Sequence, residues 1–88
     1  MKLIIAITRD EDSEDIIKNL IREGFRVTRI ASTGGFLRRG MTTLMIGVED
    51  EEVDLAITNL KDKCRPAPDN NERCTTIFVL NVTEFTQV

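Results

Sequence analysis

Leu3-Ile4-Ile5-Ala6-Ile7-Thr8-Arg9-Asp10-Glu11-Asp12-Ser13 is the stretch on which the fold turns. The nearly continuous apolar run at 2–8 reads as a strand buried on both faces. Asp10, Glu11, Asp12 and Ser13 follow it. Such side chains favour a helix N-terminus, where unpaired amides and the positive end of the helix dipole lie. Ile16, Ile17, Leu20 and Ile21 then form a one-sided helical stripe, and Gly24 is a natural C-terminal stop.

The same order returns further on. Met45-Ile46-Gly47-Val48 also leads into acidic residues, Asp50-Glu51-Glu52, and then into a helical stripe of Val53, Ala56, Ile57 and Leu60. Between the two halves, residues 25–32 read as a strand with Phe25 and Val27 pointing opposite to Arg26 and Thr28. A glycine-rich run connects it to a third strand over 42–49. Pro66 and Pro68 end the second helix by Arg65, residues 65–73 form a polar loop, 74–82 a fourth strand, and 83–88 a short tail. The order βαββαβ contains two split β-α-β units. It predicts an α+β, ferredoxin-like antiparallel sheet with both helices on one face, formed by residues 1–88 as a single domain.

Two helices cover one side of such a sheet, yet strand one is apolar in both alternations. Strand four behaves likewise, with Ile77 and Val79 on one side and Phe78, Leu80 and Val82 on the other. The helix-free face therefore needs cover. In an 88-residue chain, which buries only about 60% of its unfolded surface, the expected cover is another copy of itself in a cyclic homo-oligomer. The competing explanation is that the tail and loops fold over that face.

Net charge is −3, which argues against a nucleic-acid polymer as partner. A small anionic ligand fits, because the cationic residues Arg26, Arg29, Arg38 and Arg39 stand close together in sequence while the acidic ones crowd 10–15 and 49–54. No apolar stretch approaches the roughly 20 residues of a membrane span. The start of the chain lacks the pattern of a signal peptide, so a cytoplasmic protein is expected. Cys64 and Cys74 read as two reduced thiols, with a disulfide across the loop as the alternative. The chain contains no histidine. Serine or cysteine nucleophiles therefore lack their usual base, and no zinc ligand set is in view. The carboxylates at 10–15 and 49–54 are accounted for by capping and solvation. No phosphate-loop or dinucleotide fingerprint occurs. A non-enzymatic protein is the expectation.

The candidate chemistry lies in Ala31-Ser32-Thr33-Gly34-Gly35-Phe36-Leu37-Arg38-Arg39-Gly40. Glycines allow close backbone approach, hydroxyls and amides hold phosphate oxygens, and Phe36 offers a face for a flat ring. A Gly-Gly turn between strands is by itself a plain hairpin. Phe36 points beyond that, since an apolar aromatic at a loop tip needs a ligand or a neighbouring subunit to cover it.

These pieces resemble the PII-like cyclic di-AMP receptor family of Gram-positive bacteria. The resemblance is carried by Met1-Lys2-Leu3-Ile4-Ile5-Ala6-Ile7, Phe25-Arg26-Val27-Thr28, Ser32-Thr33-Gly34-Gly35-Phe36-Leu37-Arg38-Arg39-Gly40, Thr42-Thr43-Leu44-Met45-Ile46-Gly47-Val48 and the ending Phe78-Val79-Leu80 through Phe85-Thr86-Gln87. It implies a homotrimeric signalling protein that binds cyclic di-AMP in clefts between subunits. One adenine is expected near Gly35, Phe36 and Leu37. Arg26, Thr28 and the backbone around Gly47 would hold phosphate and base edges, and Gln87 would complete the pocket. Capture is expected to order the 33–41 segment, which would then engage a downstream protein. The chain departs from the family at Met41 and Gly24, where members commonly carry asparagine, and in the short connection at 65–73. These departures leave open a trimeric protein-interaction module that has lost or changed cyclic di-AMP binding.

Overall fold

A computed structural model of the chain describes residues 1–30, 40–62, 75–84 and 86–88. Its elements run β1 (Lys2–Arg9), α1 (Asp10–Arg22), β2 (Arg26–Ile30), β3 (Met41–Val48), a single 3-10 turn at Asp50–Glu52, α2 (Val53–Asp62) and β4 (Thr75–Asn81). The strands form one sheet in the order β2-β3-β1-β4, and every neighbouring pair is antiparallel. Each helix joins two strands that lie on either side of a third, which is the ferredoxin-like arrangement the element order predicts. The expected strand ends at 31–32 and 74, and the end of the second helix beyond Asp62, lie outside the described residues. So do Cys64, Cys74 and the 65–73 loop.

Alternation decides which side chains meet the helices. On β1, Ile4, Ala6 and Thr8 are fully buried, and on β3 Leu44 and Ile46 are too. They pack with Ile16 and Leu20 of α1, Ala56 and Leu60 of α2, and Phe25 in one core. The opposite parity, Leu3, Ile5 and Ile7 with Met45, is only half-buried. Phe78 and Leu80 of β4 share that open face through their pairing with Ile5 and Leu3, and both are about half exposed. The doubly apolar strands therefore do leave an apolar face that the helices do not cover.

Helix α1 ends as its sequence predicts. Gly24, at φ +91°, donates its N–H to the Ile21 carbonyl, and Phe25 donates to that of Leu20. This is the Schellman arrangement, in which a left-handed residue closes the last turn. The helix start differs from expectation. Arg9 occupies the cap position without a side-chain cap bond. The Asp10 N–H is instead satisfied by the Gly40 carbonyl at 2.7 Å. Asp12 is not solvated: it is 1% exposed and paired with the Arg9 guanidinium at 2.9 Å. A carboxylate taken out of water needs such a partner. At the second helix, Glu49 and Glu52 form a reciprocal capping box.

Candidate ligand-binding site

β2 presents Arg26 and Thr28 on the same side, because side chains two apart on a strand share a face. Phe25, buried in the core, fixes that parity from one residue upstream. Arg26 is opposite Gly47 of β3, which is in turn opposite Leu3 of β1. Thr28 is opposite Met45. Three strands thus bring these five residues onto one patch of the open face, about 10 Å across. The chain leaving β4 reaches the same place. Val82 donates its N–H to the Met1 carbonyl, and Gln87 comes to the same patch.

Together these residues line a hollow of about 500 Å³, within the range of small-molecule sites. Four expected site residues, Arg26, Thr28, Gly47 and Gln87, are in its wall. Gly35, Phe36 and Leu37 lie outside the described residues. Met1, Lys2, Leu3, Met45 and Val82 also line it, and inspection of the sequence alone missed them. For Leu3 and Met45 a signal existed, since each shares the parity of its site neighbours. Met1, Lys2 and Val82 depend on how β4 pairs with β1, which no local pattern reports.

The wall has a definite polarity. Among the described residues it contains Lys2 and Arg26 and no carboxylate. The Lys2 ammonium donates to the Asn81 side chain. The Met1 ammonium is taken up by Asp50 at 3.1 Å, and that hydrogen bond and charge hold the Asp50 carboxyl below its usual range. Arg26, exposed on its strand, has no ion pair among the described residues. Gly47 offers the hollow a backbone with no side chain in front of it. A Cβ added there would meet Met1 Cε at 3.5 Å, an ordinary contact, so the chain's own packing does not require the glycine. Glycine inside a strand often marks close approach by a ligand or another backbone. The arrangement can hold an anion at Arg26 and Thr28 and lay an apolar ring over Leu3, Met45 and Val82. Among the described residues no cluster of three or more His, Cys, Asp or Glu side chains suits a metal ion.

Structure separates two arginines that stand three positions apart in sequence. Arg29 has the opposite parity to Arg26 and donates to Ser13 on the helical side, away from the hollow. Met41 opens β3 opposite Arg9 and does not line the hollow. At Gly24 the left-handed helix cap is one that asparagine also commonly takes, so the asparagine the resemblance implies there would meet no structural conflict.

The chain is thus a ferredoxin-like antiparallel sheet with a hollow on its open face, lined among the described residues by Arg26, Thr28, Gly47 and Gln87. Residues 1–70 match the family model described as "Cyclic-di-AMP receptor", and the chain belongs to that family. It is also similar to a solved structure described as "The crystal structure of a functionally unknown protein from Pediococcus pentosaceus ATCC 25745". That chain is 33% identical, the match covers 99% of this chain and 96% of that one, and the TM-score is 0.79. Arg26, Thr28, Gly35, Phe36, Leu37 and Gly47 fall within the family match, and Gln87 lies beyond it.

Proposed function

We propose that this protein is a non-enzymatic receptor that captures cyclic di-AMP in the hollow, at clefts between the subunits of a homotrimer. The observation that carries the reading is convergence: Arg26, Thr28, Gly47 and Gln87 come from β2, β3 and the tail to one wall that holds no carboxylate among the described residues. Arg26 supplies charge-assisted hydrogen bonds to a phosphate. The Thr28 hydroxyl donates to the same group or its neighbour. The Gly47 backbone admits the ligand closely, and the Gln87 amide both donates and accepts at a base edge. The family resemblance adds Gly35, Phe36 and Leu37 as the residues expected near one adenine. The apolar open face with Phe78 and Leu80 supports a second copy as its cover, and the hollow lies on that face, where a neighbour closes it.

Titration calorimetry with cyclic di-AMP, cyclic di-GMP and ATP tests the ligand. Heat with cyclic di-AMP above the other two is expected; no heat with any of them overturns the reading. Thr28→Ala should weaken binding about tenfold, the effect of one hydrogen bond to a charged group, while sedimentation still gives a trimer. A nucleotide-independent protein-interaction module is the second reading, favoured by the short connection at 65–73. It predicts partner capture that cyclic di-AMP does not alter.

A further inference from the structure

The first turn of α1 takes no part in the hollow, yet it grips the strands that build it. Ser13, 3% exposed, accepts a hydrogen bond from Arg29 Nη2 at 3.2 Å. The same hydroxyl donates to the Asp10 carbonyl at 2.8 Å. The Thr42 hydroxyl, also buried, donates to Asp10 Oδ1, and the Asp10 N–H donates to the Gly40 carbonyl. One helical turn thus holds the end of β2 and the start of β3. These are the two strand ends between which residues 31–39 run.

β2 needs such a grip. It is an edge strand of five residues, bonded along one side to β3. Arg29 has the opposite parity to Arg26 and Thr28, so anchoring its guanidinium to the helical layer sets the roll of the strand. That roll sets where Arg26 and Thr28 point. On β3, Thr42 has the parity of Leu44 and Ile46, and its anchor fixes the strand that carries Met45 and Gly47.

Resting on the reading that the hollow takes cyclic di-AMP, we infer that Asp10 and Ser13 are positioning residues of the ligand site, which hold β2 and β3 in the geometry the ligand requires without touching it. The test compares Ser13→Ala, Thr42→Val and Thr42→Ser with Ala56→Gly, a destabilising change in α2 remote from this turn. Cyclic di-AMP is titrated into each full-length chain. Ser13→Ala and Thr42→Val should each weaken binding about threefold to tenfold, as expected for loss of one net hydrogen bond. Thr42→Ser should restore it, and Ala56→Gly should leave affinity unchanged at a lower Tm. Unchanged affinity in the first two variants, or an equal loss in Ala56→Gly, overturns the inference. If the unaltered chain gives no heat with cyclic di-AMP, the ligand reading fails on its own, and amide hydrogen exchange decides the grip. Exchange at residues 29–30 and 41–42 should be faster in Ser13→Ala and Thr42→Val than in Ala56→Gly, and equal rates overturn it.

Discussion

Two glycines separate folding from binding at the level of single residues. Gly24 adopts φ +91°, where a side chain is strained, so Gly24→Ala should cost about 1 kcal/mol. Chemical denaturation should show that loss, with ligand affinity intact. Gly47 has ordinary backbone geometry and room for a methyl group beside Met1. Gly47→Ala should therefore keep the denaturation midpoint and weaken cyclic di-AMP binding, as a methyl group enters the hollow. A large stability loss, or unaltered affinity, would contradict this division. The helix stop at Gly24 is legible, because the glycine closes the stripe of α1. That Gly47 has room for a side chain rests on its backbone angle and its neighbours, which only the structure gives.

Elements were legible where periodicity is local. Of the stripe Ile16, Ile17, Leu20 and Ile21, Ile16 and Leu20 are fully buried and Ile17 packs beside them, whereas Ile21 faces solvent at 58% exposure. Of Val53, Ala56, Ile57 and Leu60, Ala56 and Leu60 are fully buried and the other two pack against the core. Leu60→Ala should accordingly cost about 2–5 kcal/mol. Leu55→Ala, at a side chain 49% exposed, should stay within about 0.5 kcal/mol; equal losses in thermal unfolding would mean that α2 packs by another face. The seam between the helices was not readable. Asn19 Nδ2 donates to Asn59 Oδ1 at 2.7 Å, and Asn59 Nδ2 donates to the Leu55 carbonyl. Asn59 is buried, and a buried amide is tolerable because both ends are satisfied. Nothing in the helical stripe identifies it as inward. Asp12 went unread for the same reason: its partner Arg9 precedes the helix, and burial arises from the sheet beneath.

Across the whole molecule, charge and apolar surface are sorted by layer. The four strands contain Lys2, Arg9, Arg26 and Arg29 and no Asp or Glu, while the helices and the 3-10 turn carry most of the carboxylates. Arg9 and Arg29 are held by the helical layer, so a chain of net charge −3 offers an anion the exposed Arg26 on its open face. Binding of cyclic di-AMP should weaken as salt rises, since the Arg26 charge is exposed and screened; affinity independent of ionic strength would argue against it. The same face bears Phe78 and Leu80. Leu80→Arg should convert the proposed trimer to monomer in sedimentation and abolish binding with it. A monomer that still binds with full affinity would remove the subunit cleft from the proposal. The sequence by itself determined the strand and helix order, the parity of each strand and the excess apolar face, because these follow from backbone periods of a few residues. Only the tertiary structure decided that Arg26, Gly47, Leu3 and Gln87 share a wall, that Arg29 turns away from Arg26, and that Asp12 is buried. Those outcomes depend on pairing between distant strands, where a slip of one residue turns every side chain to the other face.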